Sequence, residues 1–442
     1  MAGSLSCALA RIKQELDQWI DEPLMARACR DAGHRWRRRV LDPLTSVRLM
    51  LLQLLAQVAL TGLRHAAAAS AQAVCRARQR LPLAVLLELL EHSCAAACAS
   101  PPAAAAAAGR WRGLRVFLAD GMSVLAPDTP PLRRRYGAGA NQHGGSCAYP
   151  LPKLLALLDL GSGMVRRITA LPHARGERTC LARLLKHLSA GDLLLGDRGL
   201  GSYAHLALVL RAGVACCVGL PRWLSVLGAG RGCRRRVARL GDDDLLVRWL
   251  KPDRRPTWMS RRAWRGLPGE LVLRQVNVRV RRPGFRDQWL RVVTTLTDPA
   301  AYPAADVAAL YQQRWQVEVY FRDLKRTLGM HRLRSRTVAG VRKEIVAFVL
   351  LYNLVRAVTR RAAAAQGVEP DRVSFADAAR WLLWSAPGDP LPRLVTNPRR
   401  RARPAEPRVL KHGRRKYPLM RRPRHVLRDQ LRRRSGRVRP LS

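Results

Sequence analysis

Three acidic residues, and the side chains gathered around one of them, are the parts of this sequence best suited to chemistry. In YQQRWQVEVYFRDLK, Tyr311 to Lys325, a helix advancing about 100° per residue puts Arg314 near −60°, Glu318 near −20° and Lys325 near −40° from Tyr311. One face would then show a phenol, two cations and a carboxylate. A carboxylate among cations suits a metal held beside a polyanion, which points to phosphodiester chemistry. Upstream, Asp120 ends the apolar run LRVFLAD and Asp197 ends DLLLGD; a strand end presents a side chain at the sheet edge from a rigid backbone. Two metal ions about 3.5 to 4 Å apart can activate a water or a 3′-hydroxyl on one side of a phosphorus and stabilise the leaving oxygen on the other. Mg²⁺ takes carboxylate oxygens and keeps several waters, so Asp120, Asp197 and Glu318 could serve one metal site. Each aspartate also has a plainer reading as the opening of a turn. Neighbouring acids compete for the same roles: Asp128 and Asp159 with Asp120, Asp192 with Asp197, Asp323 with Glu318. Asp323 sits about 140° around the helix from Glu318, Asp192 opens its strand rather than closing it, and Asp128 follows a proline in irregular text.

The spacing Y-x2-R-x3-E-x6-K at Tyr311, Arg314, Glu318 and Lys325, with LADGMSV around Asp120 and GDRGLGSY around Asp197, resembles the insertion-sequence transposases of the IS-four type, which are DDE recombinases. The resemblance spans roughly Leu114 to Gly329. It implies a ribonuclease-H-like core interrupted by a β-rich insertion between the second aspartate and the glutamate. It also implies Mg²⁺-dependent cutting and joining at terminal inverted repeats, with two ions and Mn²⁺ as a substitute: water frees a 3′-hydroxyl, which attacks a new phosphodiester, in some members after closing a hairpin. Asp120, Asp197 and Glu318 would be both metal ligands and catalytic residues. Tyr311, Arg314 and Lys325 would hold phosphates of the transposon end, and Trp289 resembles the tryptophan on which a flipped base stacks. Trp289 reads equally as packing on one face of a hairpin, and Trp315 reads as core or hinge. The partners implied are double-stranded DNA, as inverted-repeat ends and as target, and a second copy of the chain to pair two ends. An endonuclease of the same fold and an inactive DNA-binding remnant are the alternatives.

Several elements must position these residues. Residues 1–108 read as a helical domain for DNA binding, with apolar periodicity through Val47 to Leu63 and Leu81 to Leu90. Residues 109–220 read as the first part of the core: a strand at 114–120, two strands over 154–169, a helix over 177–188, strands at 192–197 and 214–220 and a helix at 203–211. The β-rich insertion occupies 221–299, with VNVRVRR and QWLRVVTTL as a hairpin. Residues 300–360 return to the core through one helix from Ala304 to about Gly329 and another at about 340–360, followed by a helical segment and basic tail over 361–442. The fold class is therefore α/β: a ribonuclease-H-like mixed sheet with a helical N-terminal domain.

The charge agrees with a polyanionic partner. Against 31 Asp+Glu stand 80 Lys+Arg, a formal +49 over 442 residues, which is strong self-repulsion without one. Arginine outnumbers lysine 72 to 8 and Ala-rich runs recur, so coding bias inflates the total and clusters matter more. One is His34, Arg35, Trp36, Arg37, Arg38, Arg39, read as a DNA-backbone contact or a solvated basic turn. The tail from Asn397 has 18 Lys+Arg against Glu406 and Asp429 and reads as an extended arm that neutralises phosphates. Neither Leu49 to Leu60 nor Ile345 to Leu351 is long enough to span a bilayer, and Lys13 and Glu15 come too early for a secretory apolar core. A cytosolic chain with reduced cysteines is expected; His92, Cys94 and Cys98 lack a second CxxC-type pair for zinc.

Overall fold

The computed structural model describes residues 2–37, 39–99, 110–140, 146–174, 177–220, 234–280, 288–397 and 423–435. The N-terminal helices are α1 (Ala2–Leu16), α2 (Glu22–Asp31), α3 (Pro43–Ala56), α4 (Arg64–Ala67), α5 (Ala71–Arg80) and α6 (Leu83–Ala99). α2 and α3 begin alike. Asp21 and Asp42 accept from the backbone N–H of Leu24 (2.9 Å) and Thr45 (2.6 Å), and a proline stands in each first turn, where its missing N–H costs nothing. α3 is apolar around most of its circumference because it is buried there, from Leu44 to Leu55. Among the described residues no single helix is long and apolar enough to cross a membrane; α3 qualifies only with Leu60–Ala67, across a 119° bend.

The strands are β1 (Arg110–Trp111), β2 (Leu114–Ser123), β3 (Ala138–Ala140), β4 (Ser146–Pro150), β5 (Lys153–Asp159), β6 (Val165–Leu171), β7 (Asp192–Gly196), β8 (Ala215–Gly219), β9 (Arg234–Gly241), β10 (Asp244–Leu250), β11 (Glu270–Val280) and β12 (Gln288–Thr294). The main sheet runs β6-β5-β2-β7-β8, with β5 antiparallel to both β6 and β2, and with β7 and β8 parallel to β2. Three antiparallel strands followed by two parallel ones is the ribonuclease-H-like arrangement. The sheet continues past β8 through β12-β11-β10-β9, so the β-rich segment extends the core sheet along its edge.

Two short helices, α7 (Pro130–Tyr136) and α10 (Arg261–Arg265), fall in the connections β2–β3 and β10–β11. One face of the core strands packs on α8 (Leu181–Leu185) and α9 (Tyr203–Arg211), burying Phe117, Ala119, Leu157, Leu194, Cys216 and Val218 among their leucines and valines. β6 packs on α6, and the elements after β12 return over β2 and β8. The single helix expected from Ala304 to Gly329 is four pieces in succession: α11 (Ala304–Gln312), a 3₁₀ turn (Gln313–Trp315), α12 (Gln316–Arg322) and a π turn at Asp323–Thr327. The long helix α13 (Val338–Gln366) lies against α6 and α3, and α14 (Phe375–Trp384) packs on α13 and α1.

Three other expectations change. β2 runs on to Ser123 instead of ending at Asp120, because β5 continues to pair with it after β7 has stopped. The helix expected over 177–188 is a 3₁₀ turn, Glu177–Cys180, and the short α8. Part of the basic tail is helix α15 (Arg424–Ser435) rather than extended chain. The rest of the tail from Pro398, the segment 101–109 and the turn 281–287 lie outside the described residues. The chain divides into two compact units, 1–277 with 291–397, and 278–290 with 398–442.

Candidate active site

Strand register brings the two aspartates together. The last pair between the parallel strands β2 and β7 is Ala119 with Gly196, so the next residue on each, Asp120 and Asp197, stands beside the other at the end of the pair. Phe117, Ala119 and Leu194 fill the core under α8 and α9. Alternation along the strands therefore puts Asp120 and Asp197 on the opposite face. The N–H of Gly121 donates to Asp120 (2.8 Å), and Asp197 caps the 3₁₀ turn Arg198–Leu200 by accepting from Gly199 N–H (2.9 Å). Burial pushes the Asp120 carboxyl up from its ordinary range; the Gly121 N–H and Arg314 oppose this, while the charges of Asp197 and Glu318 add to it. Both other carboxylates thus act on Asp120.

The competing acids have other employment. Asp159 is buried, ion-paired with Arg115 at 2.6 Å and accepting from Ser162 N–H and Oγ at 2.7 Å. Asp128 pairs with Arg133 on the surface, and Asp192 accepts from Ser189 N–H at 2.8 Å. Asp323 faces Arg322 at 3.7 Å; burial chiefly pushes its carboxyl up to about 6, with Arg322 and Arg356 opposing.

The broken helix brings Arg314 between two of the site carboxylates. Its guanidinium lies 3.5 Å from Asp120 and 4.0 Å from Glu318. Glu318 is 62% exposed, whereas Asp120 and Arg314 are 19% and 23% exposed. Tyr311 is buried, and its ring crosses Gly219: a Cβ there would lie 2.3 Å from the phenol oxygen, so only glycine fits. Burial raises the Tyr311 hydroxyl to about 12, opposed by Arg314 and reinforced by Cys217 and Asp197. Asp120, Asp197, Glu318, Arg314 and Tyr311 therefore share one neighbourhood.

Among the described residues the Lys325 ammonium makes no ion pair or hydrogen bond with them. Lys325 falls in the π turn, partly buried, with its ammonium lowered by desolvation alone and its carbonyl accepting from His331 Nδ1 at 2.8 Å. The ideal-helix stripe fails there because a π turn advances the chain by fewer degrees per residue than an α turn. Trp315, expected in the core or at a hinge, is 54% exposed in the 3₁₀ turn between α11 and α12; the core reading is wrong. Trp289 is exposed on β12 and belongs to the second compact unit. Cys94 is buried against Met164, and the side chain of Cys98 lies outside the described residues.

Three carboxylates without thiolate or imidazole form a donor set for a hard divalent cation. Among the described residues no group of three or more His, Cys, Asp or Glu closes into a ligand cluster, and Arg314 stands between two of the candidate ligands. Sequence reasoning overlooked Arg198. It follows Asp197 directly, is exposed, passes its Cγ over Gly219 beside the Tyr311 ring, and its charge acts on Tyr311. The available signal was a cation next to a strand-end aspartate in GDRG.

Residues 111–354, more than half of the chain, match the family described as the transposase DDE domain. The chain belongs to the DDE transposase family. Transposase InsG for insertion sequence element IS4, from Escherichia coli strain K12, is 28% identical over 328 residues, which cover 70% of each chain. The cryo-EM structure of the piggyBac transposase synaptic complex with hairpin DNA aligns with a TM-score of 0.44 at 9% identity, covering 84% of this chain and 79% of that one. Family membership makes this DDE transposase a metal-dependent polynucleotidyl transferase that acts on DNA and uses divalent cations.

Proposed function

We propose that this transposase cuts and joins DNA at the terminal inverted repeats of an insertion sequence, with Asp120, Asp197 and Glu318 as its catalytic carboxylates. The observation that supports this best is the β2–β7 register, which sets Asp120 and Asp197 side by side on the face approached by the Glu318 helix. These three would hold Mg²⁺, as two ions, with Mn²⁺ able to substitute. The bound cations would supply the activated water or 3′-hydroxyl and neutralise charge on the leaving oxygen.

The protein's own groups do the rest. Asp120 and Asp197 are fixed by backbone N–H donors, so the donor oxygens are positioned before DNA arrives. Arg314, displaced from the carboxylates, turns its guanidinium to a phosphate of the cleaved end, for which its planar fork is suited. Tyr311 stays protonated at any working pH and donates its O–H toward the same strand. Lys325, about two turns beyond Glu318, would hold a phosphate further along the strand, and exposed Trp289 offers a stacking surface for an unpaired base. Two ends must be paired, which calls for a homodimer. The helical N-terminal region and the basic tail add binding surface. A nuclease that released its product would have no use for phosphate-holding side chains such as Arg314 and Tyr311 beside the cut.

Cleavage of an end-containing duplex tests the assignment. Asp120→Asn, Asp197→Asn and Glu318→Gln should each lose cleavage by at least about a thousandfold while keeping salt-sensitive binding. Normal cutting by any one of them removes that residue from the site.

A further inference from the structure

Far along the chain from the carboxylates, the turn between α2 and α3 closes a second concave site. His34, Arg35, Trp36, Arg37 and Arg39 line it together with Arg80 from the end of α5, and the cavity measures about 380 Å³. Its wall is apolar, formed by Leu41, Pro43, Ala77 and Leu81. Among the described residues no acidic side chain lines it. Of the acids nearest in sequence, Asp42 is occupied in capping α3.

Other arginines of the helical region find carboxylates: Arg11 with Glu15 at 3.9 Å, Arg27 with Glu88 at 3.8 Å, and Arg48 with Asp17. Arg35, Arg37, Arg39 and Arg80 are exposed and, among the described residues, make no ion pair. Coding bias can add arginines to a surface, but it does not sort them into one acid-free hollow. The local potential is positive enough to act on His34, whose ring is held below its ordinary range by burial and then by Arg80 and Lys343.

Trp36 gives the site its chemistry. It is 37% exposed and stacked on His34 with centroids 6.2 Å apart and planes 13° from parallel. An indole left half in water among four unpaired cations offers a π face where a polyanion would come. A duplex backbone would need only the cations. A concave, apolar-walled hollow of this size fits something smaller and flatter.

We propose that this cavity binds one nucleotide of DNA whose base is unstacked, with Trp36 against the base and Arg35, Arg37, Arg39 and Arg80 on the flanking phosphates. The inference rests on the DNA transposase reading and extends it: the N-terminal helical region holds an unpaired stretch of strand apart from the carboxylate site.

Fluorescence anisotropy of the full-length protein on a labelled oligo-dT strand and on a random-sequence blunt duplex tests it. Trp36→Ala should weaken oligo-dT binding about tenfold and duplex binding less than twofold, while Trp36→Phe keeps most of the single-strand affinity. The quadruple variant Arg35→Ala, Arg37→Ala, Arg39→Ala, Arg80→Ala should lower the salt slope on oligo-dT by about 2 to 3, at about 0.7 for each phosphate that is no longer neutralised. A charge-matched control, Lys13→Ala, Arg30→Ala, Arg64→Ala, Arg76→Ala, removes exposed cations of the same helical region outside the cavity and should change it by less than one. An equal drop in the control overturns the proposal in favour of bulk charge. So does a Trp36→Ala protein that keeps its oligo-dT affinity or loses both probes alike. The catalytic assignment fails separately: Asp120→Asn would still cut, whatever Trp36 does in binding.

Discussion

Arg314 is the group whose removal should be most revealing, because its guanidinium lies against the carboxylates of both Asp120 and Glu318. Consider Arg314→Gln, which keeps length and polarity and removes the charge. Unit charges 3.5 Å apart, the Arg314–Asp120 separation, interact by about 5 kcal/mol at an effective dielectric near 20. Desolvation of both groups offsets most of that. The Glu318 contact adds little, since that carboxylate is 62% exposed and its partner is 4.0 Å away. A net 1 to 2 kcal/mol is left as the cost a divalent cation meets in displacing the guanidinium. Mn²⁺ should then bind Arg314→Gln about 5- to 30-fold more tightly than the parent at neutral pH, in a titration that counts free Mn²⁺ by its electron paramagnetic resonance signal. The same variant should cut and join DNA poorly, since it can no longer hold the phosphate. Tighter metal binding with lower activity separates this role from that of a ligand. Unchanged or weaker Mn²⁺ binding would refute the reasoning, because it would mean that Arg314 and the metal do not compete for the same carboxylates.

Gly219→Ala places a Cβ 2.3 Å from the Tyr311 hydroxyl and should destabilise the fold by about 1 to 3 kcal/mol; adding Tyr311→Phe should recover part of that loss in a thermal melt, and strict additivity of the two would show that the ring does not cross Gly219. Asp323, raised to about 6 against an unfolded carboxyl near 3.9, contributes stability that is fully present below about pH 4 and lost as pH rises through about 6. Asp323→Asn should therefore flatten the pH dependence of the unfolding free energy between about 4 and 6, by up to about 3 kcal/mol, read from denaturant melts at each pH, and an unaltered slope would mean that the carboxyl titrates as it does in water.

Local text carried much of the architecture. Apolar runs such as DLLLGD and VACCVGL became β7 and β8 because a strand covered on both faces needs continuous hydrophobicity. Asp120 and Asp197 were legible as candidates because each follows such a run. Their being neighbours was not legible, since it depends on a parallel pairing between segments some 75 residues apart in sequence. Asp159 shows the converse: it too ends an apolar strand, and only its burial against Arg115 and Ser162 marks it as structural. The segment Tyr311 to Lys325 was legible as helix but not in its phase. Ideal periodicity put Tyr311, Arg314, Glu318 and Lys325 on one stripe, yet a 3₁₀ turn and a π turn interrupt it. Departures of that kind come from packing against β2, α13 and α14.

What the sequence by itself determined is the set of chemical groups: three strand- or helix-borne carboxylates, a phenol, cations at fixed spacing and a basic, aromatic turn before α3. Residue type and spacing are covalent facts and survive any fold. What the tertiary structure alone decided is which of these groups feel one another. Register set Asp120 beside Asp197, a broken helix laid Arg314 between Asp120 and Glu318 while leaving Lys325 apart, and the end of α5 brought Arg80 to the Trp36 turn. Coulomb interactions fall with distance and burial raises them, and both are properties of the folded chain.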